Sequence, residues 1–97
     1  MEAIGLVAAK CLVSAHAVTG AEIRCLDGRK WIIILHSGNS FVLKSDRQNP
    51  RRFATLETAV AEVRHLGFQR CEVNVERWDG KAPRRNSAAP LTQATSE

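Results

Sequence analysis

Polar and apolar residues alternate from Ala21 to Leu26, and from Arg29 to His36 the chain is rich in β-branched and aromatic residues, with Trp31-Ile32-Ile33-Ile34-Leu35 as its longest unbroken apolar run. Both patterns predict strands. Asp27-Gly28 stands between them. Asp-Gly is a strong hairpin signal, because a type I′ turn needs positive φ at both central residues. Ser37-Gly38-Asn39-Ser40 predicts a second turn, after which Phe41 to Lys44 returns as a third strand. A two-residue first turn sets Ile23 opposite Ile32, Ala21 opposite Ile34 and Arg24 opposite Trp31. The second turn sets Ile34 opposite Leu43 and His36 opposite Phe41. That register puts Ala21, Ile23, Cys25, Ile32, Ile34, Phe41 and Leu43 on one face. It puts Arg24, Trp31, Ile33, Leu35, Val42 and Lys44 on the other. The second face would then carry an apolar patch of Ile33, Leu35 and Val42, to be covered by residues 1–18 or by another chain.

The rhythm changes after Phe53. Leu56, Ala59, Val60, Val63 and Leu66 recur at helical spacing. Thr55 is the expected N-cap, with Glu57 in the first turn where a negative charge suits the helix dipole. Gly67 is the expected C′ residue, with Phe68 folding back on Val63 in a Schellman closure. Cys71, Val73 and Val75 then alternate with Glu72, Asn74 and Glu76, which predicts a strand with one buried face. Residues 1–19 fit two patterns. Ile4, Leu6 and Ala8 alternate as a strand does, while Ala8-Ala9-Lys10-Cys11-Leu12 also suits a helix; the expectation is a short strand followed by a helical turn near Ser14 to Val18. Residues 79–97 are rich in Ala, Pro, Ser, Thr and Asn and read as a disordered tail. The expectation is therefore one α+β domain over residues 1–78: an antiparallel β-sheet with one main α-helix packed on one face.

Composition narrows the function classes more than it selects among them. Ninety-seven residues allow a single domain, and the 44% apolar and 25% charged fractions are those of a globular chain. A five-residue apolar run is far short of the roughly 20 that a membrane-spanning helix needs. No basic segment precedes an apolar core at the N-terminus, so no secretory signal is expected. Three cysteines without a CxxC spacing read as reduced thiols and, with the missing signal, predict a cytoplasmic location. A net charge of +4, with ten of the fourteen basic residues being Arg, is compatible with nucleic acid but does not require it.

Candidate chemistry is sparse. His16, His36 and His65 are scattered, no Cys/His pair has ligand spacing, and the carboxylates form no acid–base motif. No cofactor or metal is expected, and an enzyme of unknown type is the third choice among the functional readings. The basic connector is the better candidate. Residues 44–53 hold Lys44, Arg47, Arg51 and Arg52 against one acidic residue. Arg51-Arg52 ahead of a helix start suits an anion beside the first amides, and an ordinary solvated loop suits the same residues equally well. Arg24 opposite Trp31 is a cross-strand pair that protects the sheet, or else a stacked nucleic-acid contact or interface anchor. With Ile33, Leu35 and Val42, these two make up the candidate interface.

Several segments carry a resemblance: Ala17 to Arg24 with the hairpin that follows, Arg52-Phe53-Ala54-Thr55-Leu56-Glu57-Thr58-Ala59, Leu66-Gly67-Phe68, and Cys71-Glu72-Val73-Asn74-Val75. Over about residues 4–78 the chain resembles small ParC-type partition-associated proteins encoded on plasmids and mobile elements. The resemblance implies a non-enzymatic accessory role in plasmid maintenance. It supplies no catalytic residues. The order of three strands and a helix is also similar to sheet-type DNA-binding domains such as integrase arms, which lay their sheet in the major groove. Here the would-be reading face carries Ile33, Leu35 and Val42 where such domains carry Arg and Lys. The expected function is therefore a plasmid-partition accessory that binds proteins, namely partition-system partners and a second copy of itself as a homodimer, without a membrane. Direct DNA binding through the connector is the alternative.

Overall fold

The hydrophobic alternation of residues 20–43 builds the centre of the sheet, and the flanking segments extend it on both sides. A computed structural model describes residues 1–27 and 30–80. In chain order its elements are β1 (Glu2–Ile4), α1 (Leu6–Ser14), β2 (Gly20–Asp27), β3 (Lys30–Ser37), β4 (Asn39–Leu43), α2 (Leu56–Leu66) and β5 (Glu72–Asn74). The strands form one sheet in the order β1-β4-β3-β2-β5. The central pairs β2–β3 and β3–β4 are antiparallel, whereas β1 joins β4 and β5 joins β2 in parallel. The fold is α+β as expected. The sheet is mixed rather than purely antiparallel, because each margin is added by a crossover through a helix, and such connections place strands in parallel.

The register differs from the one the turns predicted. Ile23 pairs with Ile33, Ala21 with Leu35 and Cys25 with Trp31. The next pair is Asp27 with Lys30, so β2 carries one extra residue, Leu26, as a bulge. The expected Asp27-Gly28 turn extends into Gly28, outside the described residues. At the other end Ser37 pairs with Asn39 and Leu35 with Phe41, leaving Gly38 alone at the tip with φ +80°. Each shift is a single residue, and together they turn over β3 alone. Trp31, Ile33 and Leu35 join Ala21, Ile23, Cys25 and Leu43 in the core, while Ile32 and Ile34 face the other way with Glu22, Arg24 and Val42.

Both helices lie on the core face, as Ala9, Ala59, Val63 and Leu66 complete the same cluster. Leu6 and Leu12 of α1 pack against it. The cover expected for Ile33 and Leu35 is thus supplied within the chain, by the N-terminal segment together with α2. α1 lies earlier than the helical turn expected at Ser14 to Val18, since Leu6-Val7-Ala8-Ala9 continues directly from Gly5 into helix. It ends with His16 at φ 58°, where Ala17 N–H donates to Leu12 O and His16 N–H to Val13 O. α2 follows its pattern closely. Thr55 Oγ1 accepts from Thr58 N–H at 3.2 Å. Gly67 has φ 113°, Phe68 N–H donates to Val63 O and Gly67 N–H to Arg64 O, which is the Schellman arrangement.

β5 departs from expectation in another way. Its alternation predicts a buried face, yet Val73 is 42% and Val75 50% exposed. The reason is position. β5 is the outermost strand next to β2, and α2 packs on β3 and β2. The tail expected over 79–97 lies, from residue 81 onward, outside the described residues.

Candidate functional site

Three surfaces bear on function: the basic connector, the uncovered face of the sheet and the β5 margin. The connector is a structured loop. Arg51 N–H donates to Leu43 O at 2.9 Å and Ser45 N–H to Gln48 O at 2.8 Å. The Ser45 hydroxyl accepts from Gln48 N–H, and the Gln48 side-chain oxygen accepts from Arg52 N–H. Phe53 then pairs with Trp31 through two backbone bonds of 2.8 and 2.9 Å, so the loop ends anchored on β3. Its four cations do not act as one cluster. Arg51 pairs with Glu62 of α2 at 3.3 Å and its guanidinium lies 4.7 Å from the Phe53 ring centroid. That residue ties the loop to α2. Lys44, Arg47 and Arg52 are exposed.

The uncovered face carries a polar network that the predicted register concealed. Glu22 on β2 is buried. Its Oε2 accepts from Arg24 Nε at 2.8 Å, and its Oε1 lies 3.0 Å from His36 Nε2. His36 Nδ1 lies 3.0 Å from Ser40 Oγ. A carboxylate can only accept, so Nε2 carries the hydrogen, and in the neutral ring Nδ1 is left to accept from the Ser40 hydroxyl. The Arg24 hydrogen bond, with those of His36 and Asn74, outweighs desolvation and holds the Glu22 carboxyl below its ordinary range. The same bond raises Arg24. Hydroxyl, imidazole and carboxylate stand in the order that activates serine nucleophiles. Here, however, Arg24 and Asn74 share the carboxylate, and the chain of bonds runs across β4, β3 and β2. With Asn74 on β5, its effect is to clamp four neighbouring strands. Part of it was legible in the sequence: Glu22 and Arg24, two apart on a predicted strand, share a face. His36 and Ser40 reach the same face only once β3 is turned over.

The predicted interface residues are dispersed by the same change. Trp31, Ile33 and Leu35 are buried in the core and offer no surface to a partner. Trp31 faces away from Arg24 and instead approaches the Trp78 ring, with centroids 6.4 Å apart. Arg24 and Val42 stay on the uncovered face, with Arg24 committed to Glu22. Burial raises the thiols of Cys25 and Cys71, which disfavours their reactive thiolate forms. Among the described residues no group of three His, Cys, Asp or Glu side chains can hold a metal, and no helix is long and apolar enough to cross a membrane.

The β5 margin is the remaining surface. A cleft of about 560 Å³ along it is lined by Glu22, Arg24 and Asn74 on its inner side and by Glu72 and Glu76 toward solvent. Val73 and Val75 also border it, and Trp78 is 37% exposed nearby in sequence. Compared with known proteins, the chain matches no family model, no curated protein and no solved structure.

Proposed function

We propose that this protein is a non-enzymatic accessory of plasmid partition that works by binding other proteins, including a second copy of itself. The observation that carries the protein-binding part is the β5 margin. Large apolar side chains lie open there beside a strand edge with no neighbour among the described residues. Exposed apolar residues at a sheet edge suit a protein partner. The partition role comes from the resemblance of residues 4–78 to ParC-type proteins. The uncovered sheet face argues against base reading by the sheet. Its carboxylates are Glu22 and Glu72, and its one central guanidinium, Arg24, is already paired.

A second reading, DNA binding, rests on Lys44, Arg47 and Arg52, which stand exposed on an ordered loop. One experiment separates the two. The purified full chain is titrated with the partition proteins encoded beside its gene, and separately with DNA from the same region at low salt. A protein complex that survives Lys44→Ala/Arg47→Ala/Arg52→Ala supports the first reading. Sub-micromolar DNA binding that this variant loses, with no protein complex, replaces it with the second.

A further inference from the structure

The exposed alternating strand at the sheet margin has a specific complement. We propose that β5 is a self-association edge: two copies pair β5 with β5, antiparallel, about a two-fold axis at Val73, so that the sheet runs on from one copy into the other. The inference rests on the self-association part of the reading above and deepens it by naming the surface and the register.

The two margins of the sheet differ. β1, at one end, turns Ile4 into the core, where it is 8% exposed. β5, at the other, leaves Val73 42% exposed on the helix side, and Val75, just past the strand, is 50% exposed. A strand edge with unpaired N–H and C=O groups and an uncovered apolar row is a template for another strand. A homodimer interface is isologous, so the same residues must complement themselves. For antiparallel edge-to-edge pairing the two-fold axis is normal to the sheet, and each residue meets one on its own face.

Few registers satisfy this condition. An axis at Glu72 sets that carboxylate against itself. An axis at Asn74 sets Glu72 against Glu76 of the second copy. Both are like-charge pairs, which destabilise a sheet. An axis at Cys71 sets Arg70 against Glu72, but it pairs β5 with residues 68–70, which lie outside the strand, rather than with β5. An axis at Val73 sets Val73 against itself, Cys71 against Val75 and Glu72 against Asn74, and it brings Arg70 to the level of Glu76. Arg70 and Glu72 are exposed and have no ion pair among the described residues. This register joins apolar to apolar and opposite charge to opposite charge. It also gives Val73, on the helix side of β5, an apolar neighbour across the join that α2 does not supply.

Cysteine crosslinking in the full chain reads the register directly. The background is Cys11→Ser, because Cys11 is exposed. Directly opposed residues have Cβ atoms close enough for a disulfide after small adjustment. Val73→Cys is expected to give a covalent dimer on mild oxidation. Val75→Cys is expected to give one that Cys71→Ser abolishes. Val60→Cys, exposed on α2, is the control and should stay uncrosslinked. Val73→Asp should keep its far-ultraviolet spectrum and melting temperature, since the position is half exposed in a single copy. It should raise the dimer Kd by about 100-fold, because two like charges then meet on the axis. Crosslinking of Val73→Cys no faster than the Val60→Cys control overturns the proposal. So does a dimer that Val73→Asp leaves intact, although self-association itself would then stand. A wild-type chain that stays monomeric at every concentration in sedimentation overturns both self-association and the edge, while the titration with partition proteins still decides the wider reading.

Discussion

Glu22 and His36 are fourteen residues apart and belong to neighbouring strands, and their side chains meet at 3.0 Å on the face of the sheet that no helix covers. The pair exists because β3 is set one residue away from the register its turns suggest. Glu22 is cross-strand from Ile34, and His36 is the next residue of β3 on that face. The carboxylate is buried but not isolated, since Arg24, His36 and Asn74 all bond to it. A buried charge is tolerated when it is so satisfied, and removing the charge orphans its partners.

Glu22→Gln preserves the shape of the side chain and removes its charge. At neutral pH it should cost about 1–2 kcal/mol in urea unfolding, a range held low because Arg24 and His36 are both more than a third exposed and partly screened. The pH dependence has a definite sign. The folded carboxyl lies below its ordinary value of 4.5, so its contribution is fully present above pH 4.5. It is lost as the pH falls through the folded value. The stability gap between wild type and Glu22→Gln should therefore be widest at neutral pH and shrink below pH 4.5. A gap that stays constant from pH 7 to pH 3 would contradict this role for Glu22.

The two helices end on left-handed residues of opposite suitability. His16 has φ 58° and Gly67 has φ 113°. An L side chain in that region costs roughly 1 kcal/mol or more. His16→Gly should accordingly raise the unfolding free energy by up to about 1 kcal/mol, and Gly67→Ala should lower it by at least that amount. The Ala Cβ at position 67 would also meet Val13 Cγ1 at 3.3 Å, where α1 crosses α2. Paired thermal melts of the two variants should move in opposite directions.

Leu35 and Val42 distinguish the observed register from the predicted one, which put them on the same face. Leu35 is fully buried in the core, whereas Val42 lies half-buried on the uncovered face. Leu35→Ala should cost about 2–5 kcal/mol through reduced burial and the cavity left behind. Val42→Ala should cost less than about 1.5 kcal/mol, because less of its apolar surface is shielded from water to begin with. Comparable costs in denaturant titrations would argue against the pairing of Leu35 with Phe41.

The connector arginines should separate by role. Arg51→Ala breaks the Glu62 pair and the stacking on the Phe53 ring, so it should lower stability by roughly 1 kcal/mol. Lys44→Ala, Arg47→Ala and Arg52→Ala should leave the melting temperature within the range of ordinary surface substitutions. If those three side chains neutralise phosphates, combining the substitutions should flatten the salt dependence of DNA affinity by about 0.9 log units per decade for each phosphate no longer neutralised. A slope unchanged from wild type in filter binding would remove the connector from any DNA interface.

Local signals in the sequence reached their targets where the physics is local. Thr55, Gly67 and Phe68 bound α2 as read, because caps are made within four or five residues and depend on side-chain chemistry and φ alone. The strands of residues 21–43, the apolar stripe of α2 and the α+β class followed from periodicity for the same reason. In residues 1–19 the alternation of Ile4, Leu6 and Ala8 was less decisive, as only the first of these remains in a strand. Composition limited the chain to one small domain and pointed to the connector as its densest positive segment.

Tertiary structure decided whatever depended on counting across a gap or on which neighbour arrives. A bulge at Leu26 and a one-residue tip at Gly38 each shift the pairing by one. Side chains alternate with period two, so a slip of one inverts a whole strand. That single inversion moved Trp31, Ile33 and Leu35 from a supposed interface into the core, and it brought Glu22, His36 and Ser40 together. The parallel docking of β1 and β5 likewise follows from how α1 and α2 cross the sheet. The openness of Val73 and Val75 was beyond reach for the same reason: alternation tells which residues share a face, but only the position of α2 over β2 and β3 leaves that face of the last strand uncovered.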